Sequence, residues 1–347
     1  MKGLLLILLT ILVWVPLLRA ENLSVSSLFS LDGVFRLDQD DTAQDADLLW
    51  QPELFGAIGN EDGLLLRGDL SLRSRLRACR DEMITGPELY RLWGGLSYSS
   101  VDLRAGLLKL NFGTARILRP EQWFDTIDPL DTREESEGVR GMILTGYTPR
   151  GHGLWALRHK EPILGSEVSA NALGGRLEIP LPGLETGISL NLREKTDAEA
   201  FGQTKLGADL RWDGFAGIWL EMAGIRSDSP DPDAEYTSSL TLGTDYTVDI
   251  GSGLYLMQET NFLRRGDDPA NGLNPNGTTT ALLIGYRPGL LDNLQMLSTF
   301  DYRGQGSLTL LWQRAYDYLS WEIGLSRSFG SGADKSPTLE IRLNYDI

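Results

Sequence analysis

Arginine recurs at even spacing along one short stretch of this chain: Arg67, Arg73, Arg75 and Arg77. If the stretch is extended, all four guanidiniums stand on one face, because successive strand side chains point to opposite sides. Arg91 and Arg104, in the next two segments, fall on the same predicted face. Such a row of permanent charges does no covalent chemistry by itself; it attracts anions and sets a local field. A second group of charges lies just downstream. Residues 113–137 carry Asp125, Asp128, Asp131, Glu134, Glu135 and Glu137, with Arg116, Arg119 and Arg133 between them. Acid on a connection facing arginines on a wall would put a field across a narrow passage. The same groups could instead pair with one another and fill it, since buried arginines need partners. The sequence leaves both readings open.

Other chemistries have less to stand on. The chain has two histidines, His152 and His159, and no G-x-S-x-G element places a serine beside either. No catalytic residue is therefore assigned. A hydrolase would reveal itself by an activity lost on changing His159. Cys79 is the single cysteine, so neither a disulfide framework nor a thiolate zinc cluster is expected. Asp38, Asp40, Asp41, Asp45 and Asp47 form one acidic group, and Asp228, Asp231, Asp233 and Glu235 another. Neither has the spacing of a calcium loop, and both read as solvated surface. The glycines near Gly330 lack a following Gly-Lys-Ser/Thr and make no phosphate cradle. No metal or cofactor is expected. Acidic residues number 48 against 32 Lys and Arg, a balance opposite to a nucleic-acid footprint.

These residues need elements to hold them. Residues 1–20 read as a signal peptide: Lys2, an apolar run from Leu4 to Leu18, and Ala20 before Glu21. Leu18 departs from the small residue usual at −3, and the alternative is an uncleaved anchor. Beyond Ala20 no stretch reaches the roughly 18 apolar residues of a spanning helix. The chain beyond Ala20 alternates instead. Leu339, Ile341, Leu343, Tyr345 and Ile347 oppose Glu340, Arg342, Asn344 and Asp346. Leu64, Leu66, Leu70, Leu72 and Leu76 oppose Arg67, Asp69, Ser71, Arg73 and Arg75. About 18 such segments can be drawn, or 16 if the weak ones at 47–58 and 152–159 are dropped. Alternation is expected to slip, through bulges, near 108–110, 138–147 and 254–263.

The connections sort by parity. After even-numbered segments they are tight, as at 99–100 and at Gly214; after odd-numbered ones most are long and acidic, as at 38–46, 79–87 and 195–202. Tyr98, Trp212, Tyr236, Tyr246, Tyr286, Tyr302 and Tyr345 gather near segment ends, where interfacial aromatics lie. Charges on one face, aliphatics on the other and loops sorted by side predict a closed antiparallel transmembrane β-barrel spanning residues 21–347. The longest connection, 113–137, has a length that usually marks function. Arg67, Arg73, Arg75, Arg91, Arg104, Arg116, Arg119, Asp125, Asp128, Asp131, Glu134 and Glu135 are then the predicted pore lining.

The stretch Lys109-Leu-Asn-Phe-Gly, with Leu118-Arg-Pro and Trp123-Phe-Asp-Thr-Ile-Asp-Pro-Leu-Asp131 after it, resembles one found in Gram-negative outer-membrane porin-like barrels. The motif covers one segment and its loop; the architectural likeness covers the mature chain. Many such barrels end in Phe or Trp, whereas this chain ends in Ile347 with Tyr345 two residues earlier. The resemblance implies an outer-membrane location, a third loop, 113–137, that folds inward and narrows the lumen, and passive diffusion of small hydrophilic solutes. It also implies lipid bilayer, lipopolysaccharide and the barrel assembly machinery as partners, and by analogy a homotrimer. The second reading is a barrel that conducts nothing and serves surface assembly or partner binding.

Overall fold

A computed structural model describes residues 23–36, 44–59, 63–79, 82–124, 138–148, 151–162, 169–195, 202–228, 235–266, 277–330 and 336–346. The described residues contain strands and no helix. In chain order these are β1 (Leu23–Arg36), β2 (Gln44–Gly59), β3 (Leu64–Cys79), β4 (Glu82–Tyr98), β5 (Val101–Leu108) and β6 (Val139–Thr148). Next come β7 (Gly151–Pro162), β8 (Ser169–Leu181), β9 (Leu184–Arg193), β10 (Gln203–Asp213), β11 (Gly217–Ser227) and β12 (Tyr236–Val248). The last six are β13 (Leu254–Gly266), β14 (Thr278–Tyr286), β15 (Asp292–Asp301), β16 (Gly306–Ala315), β17 (Leu319–Phe329) and β18 (Thr338–Asp346). Each strand pairs antiparallel with the next, for example β2 with β3 and β9 with β10. β1 pairs with both β2 and β18, so the 18-stranded sheet closes on itself and has no free side edge.

Burial is inverted relative to a soluble protein. Leu66, Leu70, Leu72, Ile188, Leu206, Ile218 and Leu242 are exposed, while Asp32, Arg73, Asp102, Asp209, Glu221 and Arg342 are buried. Aliphatics facing out and charges facing in make a lipid-facing belt around a polar interior. The aromatics are uneven along the barrel axis. Tyr98, Tyr147, Trp212, Tyr246 and Tyr345 are exposed at or near the ends of even-numbered strands, and Phe215, Tyr316 and Tyr318 sit in the turns there. Tyr236 and Tyr302 stand at the opposite edge. Among the described residues the belt turns polar on β12–β14, where the outward positions include Thr244, Gln258, Thr260 and Thr280.

Connections after even-numbered strands are short, from 99–100 to 287–291; those after odd-numbered strands include 109–138, 194–202 and 267–277. Two boundaries differ from expectation. The segment 79–87, predicted as a long loop, is mostly strand: β3 runs to Cys79 and β4 starts at Glu82. Pro87 suggests a break, yet β4 pairs with β5 only over Leu92–Tyr98, so at Pro87 the strand has one ladder and an edge that tolerates proline. The predicted segment 101–112 stops at Leu108. Gly106 has φ +134°, and a Cβ there would collide with the Leu92 carbonyl, so only glycine fits two residues before the strand ends. Leu108, Leu110 and Phe112 keep the two-residue period beyond the strand, but their burial is against the barrel interior.

Of the three expected irregularities, the β6–β7 pair slips between Met142 and Ile143, β13 keeps continuous register, and the third site is the strand end just described. An unforeseen bulge lies in β3–β4. Ser71 pairs with Arg91 and Leu72 with Leu89, leaving Tyr90 as the extra residue.

Candidate functional site in the barrel lumen

Residues 109–124 form a strap that enters the lumen from β5 and touches β8, β10, β11, β12 and β13. β13 lies eight strands beyond β5, almost opposite in an 18-stranded ring. Two wall carboxylates hold the strap by its backbone. Glu221 of β11 accepts the N–H groups of Ala115 and Glu121, each at 2.7 Å. Glu259 of β13 accepts from Arg116 at 2.7 Å, Ile117 at 2.9 Å, Leu118 at 2.7 Å and the Trp219 indole at 3.0 Å. The Thr241 hydroxyl donates to the Leu118 carbonyl at 2.5 Å. Irregular backbone inside a barrel must find partners, and charged acceptors are the strong ones. Gly113 has φ +86°, and a Cβ there would strike the Glu221 carboxylate, so the approach needs glycine.

Apolar contacts complete the docking. Leu108, Leu110, Phe112, Trp123 and Phe124 pack with Val139, Ile143 and Ala223. Phe112, Trp123 and Phe124 meet edge to face at centroid distances of 5.0 to 6.4 Å. A second cluster joins Ala115 to Trp219 and Met257. Beside it Glu121 is fully buried, 3.4 Å from Arg176, which also holds Asp209 at 2.6 Å and Glu178 at 2.7 Å. Burial raises the Glu121 carboxyl to about 7; Ser189 and Arg176 oppose the rise, and Asp209 and Glu221 add to it.

The other wall is built differently. Arg67, Arg73, Arg75, Arg91 and Arg104 come from β3, β4 and β5. Arg67 and Arg104 share Asp102, at 2.5 and 2.7 Å. Arg75 lies 3.3 Å from Asp47. Arg73 bonds the Gln51 amide oxygen at 3.1 Å and stands 3.9 Å from Glu88. The bulged Tyr90 is flanked by two guanidiniums, Arg73 at 3.6 Å and Arg91 at 4.6 Å from the ring centroid. Carboxylates therefore accompany this wall closely; it is a mixed surface.

Of the predicted lining, these five arginines converge on β3–β5. Arg116 and Arg119 are carried by the strap instead. Arg116 donates to the Tyr255 hydroxyl at 2.8 Å and lies 3.7 Å from Asp245, while Arg119 bonds Asn111. Asp125, Asp128, Asp131, Glu134 and Glu135 lie outside the described residues, as does the leader 1–20. The described side chains also exclude those of His152 and His159. Sequence reasoning missed Glu221, Glu259 and Tyr90. The two glutamates look like any inward-facing polar position, and only the path of the strap distinguishes them. Among the described residues no group of three His, Cys, Asp or Glu is arranged to hold a metal.

No protein-family model matches the sequence, and no curated protein matches it. Solved structures match its fold. The chain aligns with Pseudomonas aeruginosa OccK5 (OpdH) at 12% identity and TM-score 0.63, covering 94% of this chain and 98% of that one. Acinetobacter baumannii OccAB4 aligns at 11% identity and TM-score 0.63, covering 95% and 99%. A mutant Rhodopseudomonas blastica porin aligns at 12% identity and TM-score 0.50, covering 94% and 100%. The barrel, its inverted burial and these likenesses agree: the fold is that of an outer-membrane porin-like β-barrel.

Proposed function

We propose that this protein is an outer-membrane channel for passive diffusion of small hydrophilic solutes, narrowed by its third outer connection. The observation that carries the reading is the strap's backbone attachment to Glu221 and Glu259. Docking there leaves the β3–β5 wall to face whatever passage remains. On this reading Arg67, Arg73, Arg75, Arg91 and Arg104 line it, and the acids of residues 125–137 complete the filter. Residues 1–20 are the export signal, and the alternating β18 presents the assembly machinery with its recognition strand. Lipopolysaccharide and bilayer lipid surround the belt.

A second reading, a plugged barrel that binds partners, is favoured by one observation. The arginines already stand beside Asp102, Asp47 and Glu88, and the strap brings its own apolar clusters into the lumen. Single-channel recording of the refolded mature protein in a planar bilayer, under a salt gradient, separates the two. Stable steps whose reversal potential moves when Arg73, Arg75 and Arg104 are neutralised support the channel. A folded, heat-modifiable barrel without steps supports the plug.

A further inference from the structure

Among the described residues the lipid-facing belt carries a polar patch on β12–β14. Thr244 of β12 pairs with Gln258 of β13, and Thr260 of β13 pairs with Thr280 of β14. These outward side chains flank one another on adjacent strands, with Gln258 and Thr244 exposed. Gln258 and Thr260 lie mid-strand in β13, and Thr280, near the start of β14, is level with Thr260, so the patch is at belt depth. The Gln258 amide reaches only the Thr260 hydroxyl, at 3.5 Å, and Thr260 meets Thr280 at 3.3 Å. An amide at 3.5 Å is at the limit of hydrogen bonding. In hydrocarbon, with no water to replace the missing partner, that arrangement is costly. The corresponding belt positions on β3 are Leu66, Leu70 and Leu72.

We propose that this patch is the contact face between two copies of the chain, with Gln258 at its centre. The chemistry of the patch selects the occupant. An acyl chain offers no donor or acceptor. A carboxamide carries both, so two copies related by a two-fold axis along the membrane normal bring Gln258 to Gln258 with two reciprocal hydrogen bonds. Hydroxyls at Thr260, Thr280 and Thr244 are likewise donor and acceptor at once. The patch has no charge, so like copies meet without repulsion. Such a contact is isologous and closed, a pair in place of the homotrimer that the resemblance implies. The proposal does not depend on whether the lumen conducts.

The test is disulfide trapping in native membranes. Cys79→Ser provides the background, and Gln258→Cys adds the probe; Leu206→Cys on β10 is the control for random collision. Oxidation should trap a dimer through position 258 and not through 206. Gln258→Leu with Thr260→Leu and Thr280→Leu, which only extends the apolar belt, should leave a folded, heat-modifiable barrel. Its dimer, read in nanodiscs by mass, should weaken by roughly ten-fold or more, the loss of one to two kilocalories of intramembrane hydrogen bonding. A monomer in both measurements overturns the proposal. So does an oligomer that traps equally at both sites or survives the triple change.

Discussion

The two sides of the lumen use charge in opposite ways. On β11 and β13, buried carboxylates face backbone N–H groups of the strap, and the bonds fix a piece of irregular chain in place. On β3 to β5, guanidiniums stand beside carboxylates and amides of neighbouring strands. One wall is a scaffold and the other a lining. A charge whose partner is main chain specifies geometry; a charge whose partner is another exchangeable side chain can turn toward a passing ion.

Breaking the scaffold side should have the largest effect. Glu259→Ala orphans three consecutive N–H groups and an indole, at a cost on the order of 4 kcal/mol. Hydrogen exchange at residues 116–118 should accelerate while the barrel remains folded, and channel recordings should become noisier. Unchanged protection would show that the apolar clusters hold the strap alone.

Next in size is pH. The Glu121 carboxyl sits at about 7 in the folded protein, above its ordinary 4.5. A carboxyl raised on folding favours the folded arrangement fully below pH 4.5, and that contribution is lost as pH rises through about 7. Strap protection should therefore fall between those limits by at most a few kcal/mol. Glu121→Gln, compared with the parent at each pH to cancel intrinsic exchange, should abolish the fall; a fall that persists assigns it to another group.

On the lining side, Arg73, Arg75 and Arg104 changed together to Gln should shift selectivity a few-fold toward cations, because Asp47 and Asp102 remain. A unit charge about 4 Å from an ion in water is worth about 1 kcal/mol before screening. Equal reversal potentials would place the filter elsewhere. Smallest is Tyr90→Leu, which removes from Arg73 and Arg91 a ring contact worth about 0.5–1 kcal/mol. It should alter current noise more than selectivity, a difference visible in the same recordings.

The barrel was legible because its pattern is local. Leu66, Leu70 and Leu72 against Arg67, Asp69 and Ser71 state which side meets lipid without reference to any other strand. The exceptions were set by distant partners. Pro87 is tolerated because β5 has already turned away, and the run Leu108, Leu110, Phe112 leaves the sheet to pack in the barrel interior. The arginine row could be read from spacing. Glu221 and Glu259 could not, since a carboxylate met by a strap from β5 has the same sequence surroundings as one met by water.

The exposed aromatics crowd one edge of the cylinder, where the turns are short. Rings that prefer the headgroup region fix depth at the edge that carries them. A change in bilayer thickness should thus be absorbed unequally. In thicker lipid the short-turn edge keeps its level, and the added hydrocarbon climbs toward the loop edge, over the outer ends of the strands. The molecule behaves like a post set in its footing, with the tide rising only around its top.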